Sequence, residues 1–339
     1  MISQDIAVAA VNPSMGVPGG ELTILCRGFR PDLPFSSRVL FGETEANIVS
    51  ASEERVVVRL PEEPRSLGIT LKLGTKASEV FPFALAVRLA GGLHPVANPV
   101  IAPDGSLITT ISGSRGQQVS QPIVRVTRSG EKIPLACEIM NPTGLALDSD
   151  GRLYVSSRND GTVFRYTDSE DLEVVAEDLG VACGIVFDSK GYLYVGDRSG
   201  KVFRIDPSGN KEEFALLEPS ISAYHLAMDS QDRLYVTGPT FSMRDSLYRI
   251  SVEGKAEVLL QGLARPQGVA IVPGGELLIA TAYEGKRGIF KFNPSTRDMV
   301  HYITGPILVG IAISGEDLFL ADNSSLYWIR PRGGAARLS

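Results

Sequence analysis

From about residue 100 onward the chain reads as short apolar runs cut by polar turns, and the runs form a repeating unit. Each unit opens on an almost wholly apolar stretch such as "GLAL" or "GIVF", which suits a strand covered on both faces. A tight polar turn follows, then a second apolar stretch such as "RLYVSS" or "YLYVGD". Six such pairs lie at 100–110, 144–157, 184–197, 225–238, 268–281 and 310–322, with turn residues Gly105, Gly151, Gly191, Asp232, Gly275 and Glu316. A third run follows each pair ("IVRVT", "TVFRYT", "KVFRID", "SLYRIS", "GIFKFN", "LYWIRP"), and then a more polar fourth. Four strands grading from buried to exposed, six times over, predict a six-bladed β-propeller across residues 88–339. Either "ALAVRLA" (84–90) or the terminal "AARLS" supplies the outermost strand of the last blade, because an open ring would leave pairing edges.

Before residue 88 the period is absent and the strands are closer together: "IAVAAV", "ELTILCR", "RVLF", "ANIVS", "RVVVRL", "GITLKL" and "VFPFALA". Seven short strands in so few residues predict a β-sandwich over 1–87, so the expected fold class is all-β with two domains.

Composition narrows the function. A net charge of -6 without a basic block gives no footing for nucleic acid. No apolar stretch approaches the ~20 residues of a membrane helix, so membrane insertion is not expected. The start has no basic and apolar leader pattern, which favours a soluble cytoplasmic protein, although the compartment itself is not readable. Cys26, Cys137 and Cys183 are odd in number and widely spaced, and read as buried free thiols. The DSDG-type turns lack the fuller acidic run of a calcium loop; their Asp and Gly suit hairpin geometry.

"NPSMGVPGGELTILCRGF" followed by "VLFGETEANIVSASEERVVVRLP" resembles the IPT/TIG immunoglobulin-like domain, with Pro13, Gly16, Gly19, Gly20, Gly28, Phe29, Phe41, Gly42 and Pro61 at that family's turn and core positions. "NPTGLALDSDGRLYVSSRNDGTVFRY", echoed by "VACGIVFDSKGYLYVGDRSGKVFRID", resembles the NHL-repeat and gluconolactonase (regucalcin)-like propellers. The first resemblance implies a spacer or interaction module. The second implies either a propeller that binds protein or ligand, or a hydrolase with a divalent cation such as calcium in its channel. The family's Glu-Gly-Pro-like opening falls near "NPVIAPDG", where this chain has Asn98.

In a propeller, residues just before the first strand and just after the second line one mouth of the channel. The first set is Asn98, Asn141, Thr143, Cys183, Tyr224, His225, Gln267 and Val309; the second is Ser157, Arg158, Asp160, Asp197, Arg198, Thr281, Tyr283, Glu284, Asp322 and Asn323. Asn98, Thr143, Cys183, Tyr224, Gln267 and Val309 are taken as matching positions, a ring without a carboxylate. Asn141, Asp197 and Asp322 are the candidate oxygen ligands for a cation. The favoured reading of Asp197 and Asp322 is as surface loop carboxylates paired with Arg158 or Arg198. His225 is the candidate general base, or a hydrogen-bonded channel residue. His94 and His301 show no partner in the sequence. Long loops in blade one (111–122) and blade four (238–246) flank the mouth from opposite sides, with Arg115, Gln117, Gln118, Phe241, Met243 and Arg244 as contact residues. The expected function is binding of a protein partner or small ligand at this mouth, the rival a metal-dependent lactone or ester hydrolase.

Overall fold

The computed structural model describes residues 5–33, 36–62, 68–113, 117–167 and 171–331. It contains strands and no helix among these residues. Eight sheets are formed, and six of them carry the repeat. The first blade is built from Val100–Ile101, Leu107–Thr110, Ile123–Val126 and Lys132–Pro134, each antiparallel to the next. The second to fourth blades follow with the same order, starting at Pro142–Leu147, Ala182–Phe187 and His225–Met228. The fifth starts at Val269–Ile271 and the sixth at Leu308–Ser314. Each of these inner strands packs beside that of the next blade, and the sixth returns to the first, so the ring is closed. The all-β class and the propeller read from the repeat are thereby met.

The turn chemistry explains why the sequence repeats so visibly. Asp148 Oδ1 accepts from the N–H groups of Asp150 (3.0 Å) and Arg152 (2.9 Å), and its other oxygen accepts from the Arg152 guanidinium. Asp188 and Asp229 repeat the arrangement with Lys190 and Tyr192, and with Gln231 and Arg233. These are Asx-type turns closing a hairpin, followed by a left-handed residue, Gly151, Gly191 or Asp232. The sixth blade differs: Ser314 pairs directly with Asp317, so its two-residue turn has Gly315 as the left-handed residue and not Glu316.

The ring is closed by the early part of the chain. Val87–Gly91 pairs antiparallel with Ser325–Ile329 as the outer strand of the sixth blade. Of the two expected closures this is the first; the stretch "AARLS" lies outside the described residues. The fifth blade is extended as well. Met15–Gly16 and Ala84–Leu85 add two short parallel strands beyond Met299–Thr304, making a six-stranded sheet. Met15, Val17 and Ala86 are buried with Leu278, Ile303, Leu308 and Leu320.

The two remaining sheets hold Ala7–Asn12, Glu21–Arg27, Arg55–Arg59 and Asn47–Ala51, and Thr44–Glu45, Ser37–Phe41, Ile69–Leu73 and Lys76–Ala77. Leu22, Ile24, Val56 and Val58 of the first share one core with Val39, Phe41, Ile69 and Leu71 of the second. Alternation along Glu21–Arg27 puts Leu22, Ile24 and Cys26 in that core and leaves Glu21, Thr23 and Leu25 on the outer face. The strand Glu21–Arg27 is anchored to the ring by Thr304, whose hydroxyl donates to the Glu21 carbonyl at 2.6 Å.

Candidate functional site

At the end of the ring where the inner strands begin, six positions form one layer: Asn98, Gly144, Gly184, His225, Gly268 and Gly310. Four are glycine because the strands approach too closely for a side chain. A Cβ on Gly144 would sit 2.4 Å from the Cys183 carbonyl oxygen, on Gly184 2.5 Å from that of Tyr224, and on Gly310 2.3 Å from that of Ala97. The first and fourth blades, opposite each other across a six-membered ring, place Asn98 and His225 there instead. Below this layer lies a cavity of ≈ 320 Å³, lined by all six inner strands and apolar at its far end, where Val100, Leu147, Phe187 and Met228 contribute. The layer thus differs by one residue from the expected ring: Asn98 aligns with the glycines and His225, and Thr143, Cys183, Tyr224, Gln267 and Val309 stand one position earlier.

Asn98 bridges three blades and keeps a second amide N–H beyond the bonds it makes to them. Its amide nitrogen donates to the Val269 carbonyl (3.0 Å) and its amide oxygen accepts from the Ile311 N–H (3.0 Å), joining the first blade to the fifth and sixth. His225 is 2% exposed and its Nε2 lies 3.1 Å from Gln267 Oε1. That pairing puts the ring proton on Nε2 and leaves Nδ1 as an acceptor, for which no described residue supplies a donor. Burial pushes the imidazole pKa down to about 4, with Gln267 opposing the shift, so His225 is neutral at pH 7. Gln267 therefore acts as the partner that orients this imidazole.

The other residues expected at the mouth fall into three groups. Asn141, Thr143, Arg158 and Arg198 hold the loops together. Asn141 Nδ2 and Arg158 Nη2 both donate to the Gly113 carbonyl, at 3.2 and 3.0 Å, and fix the base of the long first-blade loop to the second blade. Thr143 donates to the Asn141 carbonyl, and Arg198 to the Ile221 carbonyl at 2.9 Å. Tyr224 and Tyr283 belong to cores between blades: Tyr224 is buried among Tyr194, Leu217 and Leu234 with its hydroxyl on the Glu218 carbonyl, and Tyr283 packs edge-on against Phe290. Tyr224 sits just before the strand His225–Met228 and Tyr283 at the end of Leu277–Tyr283, and both pack into these cores. Asn323 lines a different cleft, described below.

The acids are occupied by their own loops. Asp197 accepts from the Val181 N–H (2.8 Å) and from the Ser199 hydroxyl. Asp322 accepts from the Ser324 and Ser325 N–H groups (both 2.7 Å), the Ser324 hydroxyl and the Tyr327 hydroxyl (3.0 Å). Their partners are N–H and hydroxyl groups, not the arginines expected. A hard cation needs several free oxygens converging on one point. The donor set here does not fit that need: Asp197 and Asp322 spend both oxygens within their hairpins, Asn141 turns its amide nitrogen to Gly113, and the described residues form no cluster of three or more His, Cys, Asp or Glu. Cys183 is a buried thiol whose pKa burial pushes up to about 12.

Two loops rise beside this mouth. In the fourth blade the loop runs from 238 to 244, since the next strand starts at Asp245. Asp245 holds its base by accepting from the Thr240 N–H (2.8 Å) and hydroxyl (2.9 Å), and the tip stands clear, with Phe241 82% and Met243 98% exposed and Arg244 beside them. Across the ring, Gln117 and Gln118 are exposed; Arg115 lies outside the described residues. His94 bonds through Nδ1 to the Ser112 carbonyl and steadies the start of that loop, and His301 stacks on Phe290 at 4.7 Å.

A closed ring of six blades, each with four antiparallel strands, and with Asn98 and His225 in the innermost layer at one mouth, defines an all-β protein of the β-propeller type. Solved structures share the fold. An auxiliary nutrient binding protein from Bacteroides thetaiotaomicron matches over 96% of this chain and 97% of its own, at 12% identity and a TM-score of 0.57. A gluconolactonase from Xanthomonas campestris matches over 73% of this chain and 89% of its own, at 16% identity and a TM-score of 0.59. A virginiamycin B lyase from Staphylococcus aureus matches over 97% of both, at 16% identity and a TM-score of 0.51. At such identities the likeness is one of fold. No protein-family model matches the chain, and no curated protein does.

Proposed function

We propose that this chain is a ligand-binding protein: an IPT/TIG-like immunoglobulin module over 1–87 followed by a six-bladed NHL/gluconolactonase-like propeller over 88–339, which holds a small, neutral, polar molecule at its channel mouth. The observation that carries this reading is the pair Asn98 and His225. They face the head of a ≈ 320 Å³ cavity from opposite blades, and His225 is uncharged with an acceptor nitrogen left over. A cavity of that size with few polar groups and apolar walls suits a small molecule. The likeness to an auxiliary nutrient binding protein over nearly the whole chain supports binding, and the likeness to a gluconolactonase over the ring supports a hydroxylated ligand. Exposed Phe241 and Met243 add apolar contact area for a partner or for the ligand's outer face.

Calorimetry with a panel of neutral sugars and lactones tests the proposal. Saturable binding that is lost in His225→Ala is expected, and no binding across the panel would remove it. The second reading, a lactone or ester hydrolase, is favoured by the free His225 nitrogen, which suits a general base. It requires turnover of the lactones in the same panel, and a chelator-sensitive rate if a cation takes part; we expect neither.

A further inference from the structure

A second cavity, of ≈ 910 Å³, lies between the outer face of the N-terminal sheet and the loops of the fifth and sixth blades. One wall is the face of Glu21–Arg27 and Arg55–Arg59 that turns away from the sandwich core, and it presents Arg55 and Arg59. The other wall is the hairpin after Leu277–Tyr283, with Lys286 and Arg287, backed by His301. Asn12, Thr23 and Asn323 supply neutral polar groups between them.

The charge balance here opposes that of the whole chain, which is -6. Among the described residues, four cationic side chains line the cleft against one acid, Glu21, which pairs with Arg59 at 3.3 Å. Arg55, Lys286 and Arg287 have no ion-pair partner among the described residues. Lys286 stands near enough to His301 to oppose its protonation, which burial already disfavours. Segments more than two hundred positions apart thus bring unpaired positive charge to one concavity, where like charges repel unless an anion joins them. The fold holds them there through backbone pairing: Val17 N–H donates to the Thr304 carbonyl at 2.8 Å, and Gly20 packs against Gly305. Guanidinium forks on one wall and an ammonium with a guanidinium on the other match oxyanions carried on both ends of one molecule.

We infer that this cleft binds a small polyanion, a molecule bearing two or more phosphate, sulfate or carboxylate groups. The site is separate from the channel and does not depend on the reading given above.

The test is calorimetry on the full chain with pyrophosphate and with citrate, alongside melting curves for every variant. Saturable binding that weakens as salt is added is expected. Arg55→Gln and Lys286→Gln, on opposite walls and both at exposed positions, each weaken it about tenfold, the loss of one charge-assisted contact. Glu21→Gln strengthens it by releasing Arg59, and His225→Ala leaves it unchanged. No saturable heat with either anion overturns the proposal. Binding that survives both wall variants, or is lost on one wall only, or is lost with His225→Ala, overturns it equally. Because the two wall variants change separate elements, one that fails to fold leaves the other to decide.

Discussion

Asn98 and Ile311 lie 213 positions apart in the chain and are joined by a 3.0 Å hydrogen bond from the Ile311 N–H to the Asn98 amide oxygen. The same amide donates to Val269, so one side chain satisfies the backbone of two other blades at the head of the channel. Asn98→Ala leaves a buried N–H and a buried carbonyl without partners and should cost about 2–4 kcal/mol. Urea unfolding checks this. Asn98→Asp should be worse still at neutral pH, since a carboxylate oxygen would then face the Val269 carbonyl.

The glycine layer makes a sharper prediction. A Cβ on Gly268 would lie 2.4 Å from Asn98 Oδ1 and 2.9 Å from Gly310 Cα, and neither the pinned amide nor the backbone can retreat far. Gly268→Ala should destabilise by about 1–3 kcal/mol, the range for overpacking. The control is Gly91→Ala, where the added methyl meets only Ser325 Oγ at 3.5 Å. That variant should stay within about 0.5 kcal/mol of the parent.

His225 ties stability to pH. Its folded pKa of about 4 lies below the ordinary imidazole value of 6.5, so protons favour the unfolded chain. Its contribution is full above 6.5, declines as pH falls through that value, and is gone by about 4. Across the window this amounts to at most about 3 kcal/mol. His225→Gln should flatten the pH dependence of unfolding between these limits, and an unchanged slope would contradict the burial described here.

Removal of residues 1–91 deletes the outer strand of the sixth blade together with both short strands of the fifth. The strand Ser325–Ile329 then becomes an unpaired edge bearing Leu326 and Trp328. A lower melting temperature and concentration-dependent association are expected by calorimetry and light scattering.

Legibility in the sequence followed the range of the interactions. The hairpin turns were readable because an Asp, two N–H groups and a left-handed residue are all contained within five positions. The ring layer was misplaced by one residue at the first blade, where Asn98 and Pro99 replace the Gly-Leu of "TGLAL". The signal was present: counting back seven from Gly105, Gly151, Gly191, Asp232 and Gly275 gives Asn98, Gly144, Gly184, His225 and Gly268. The shorter turn of the sixth blade breaks the count and hides Gly310. Tyr224 and Tyr283 could not be separated from mouth residues without knowing which core each packs into. Met15–Gly16 left no trace, since a two-residue strand carries no period, and Ala84–Leu85 was read as a strand but not as part of the fifth blade. The basic cleft was invisible for another reason: Arg55 and Lys286 become neighbours only through the docking of the first sheet on the ring.

The strand Val87–Gly91 is synthesised before its partner Ser325–Ile329, which follows more than two hundred positions later in the chain. Through that interval the clasp of the wheel has nothing to grip, and the nascent blades wait with one flank bare. Contacts of such long sequence separation are formed slowly and expose aggregation-prone edges meanwhile. Production of this protein should therefore be limited less by the strength of its finished structure than by the interval before the last blade arrives.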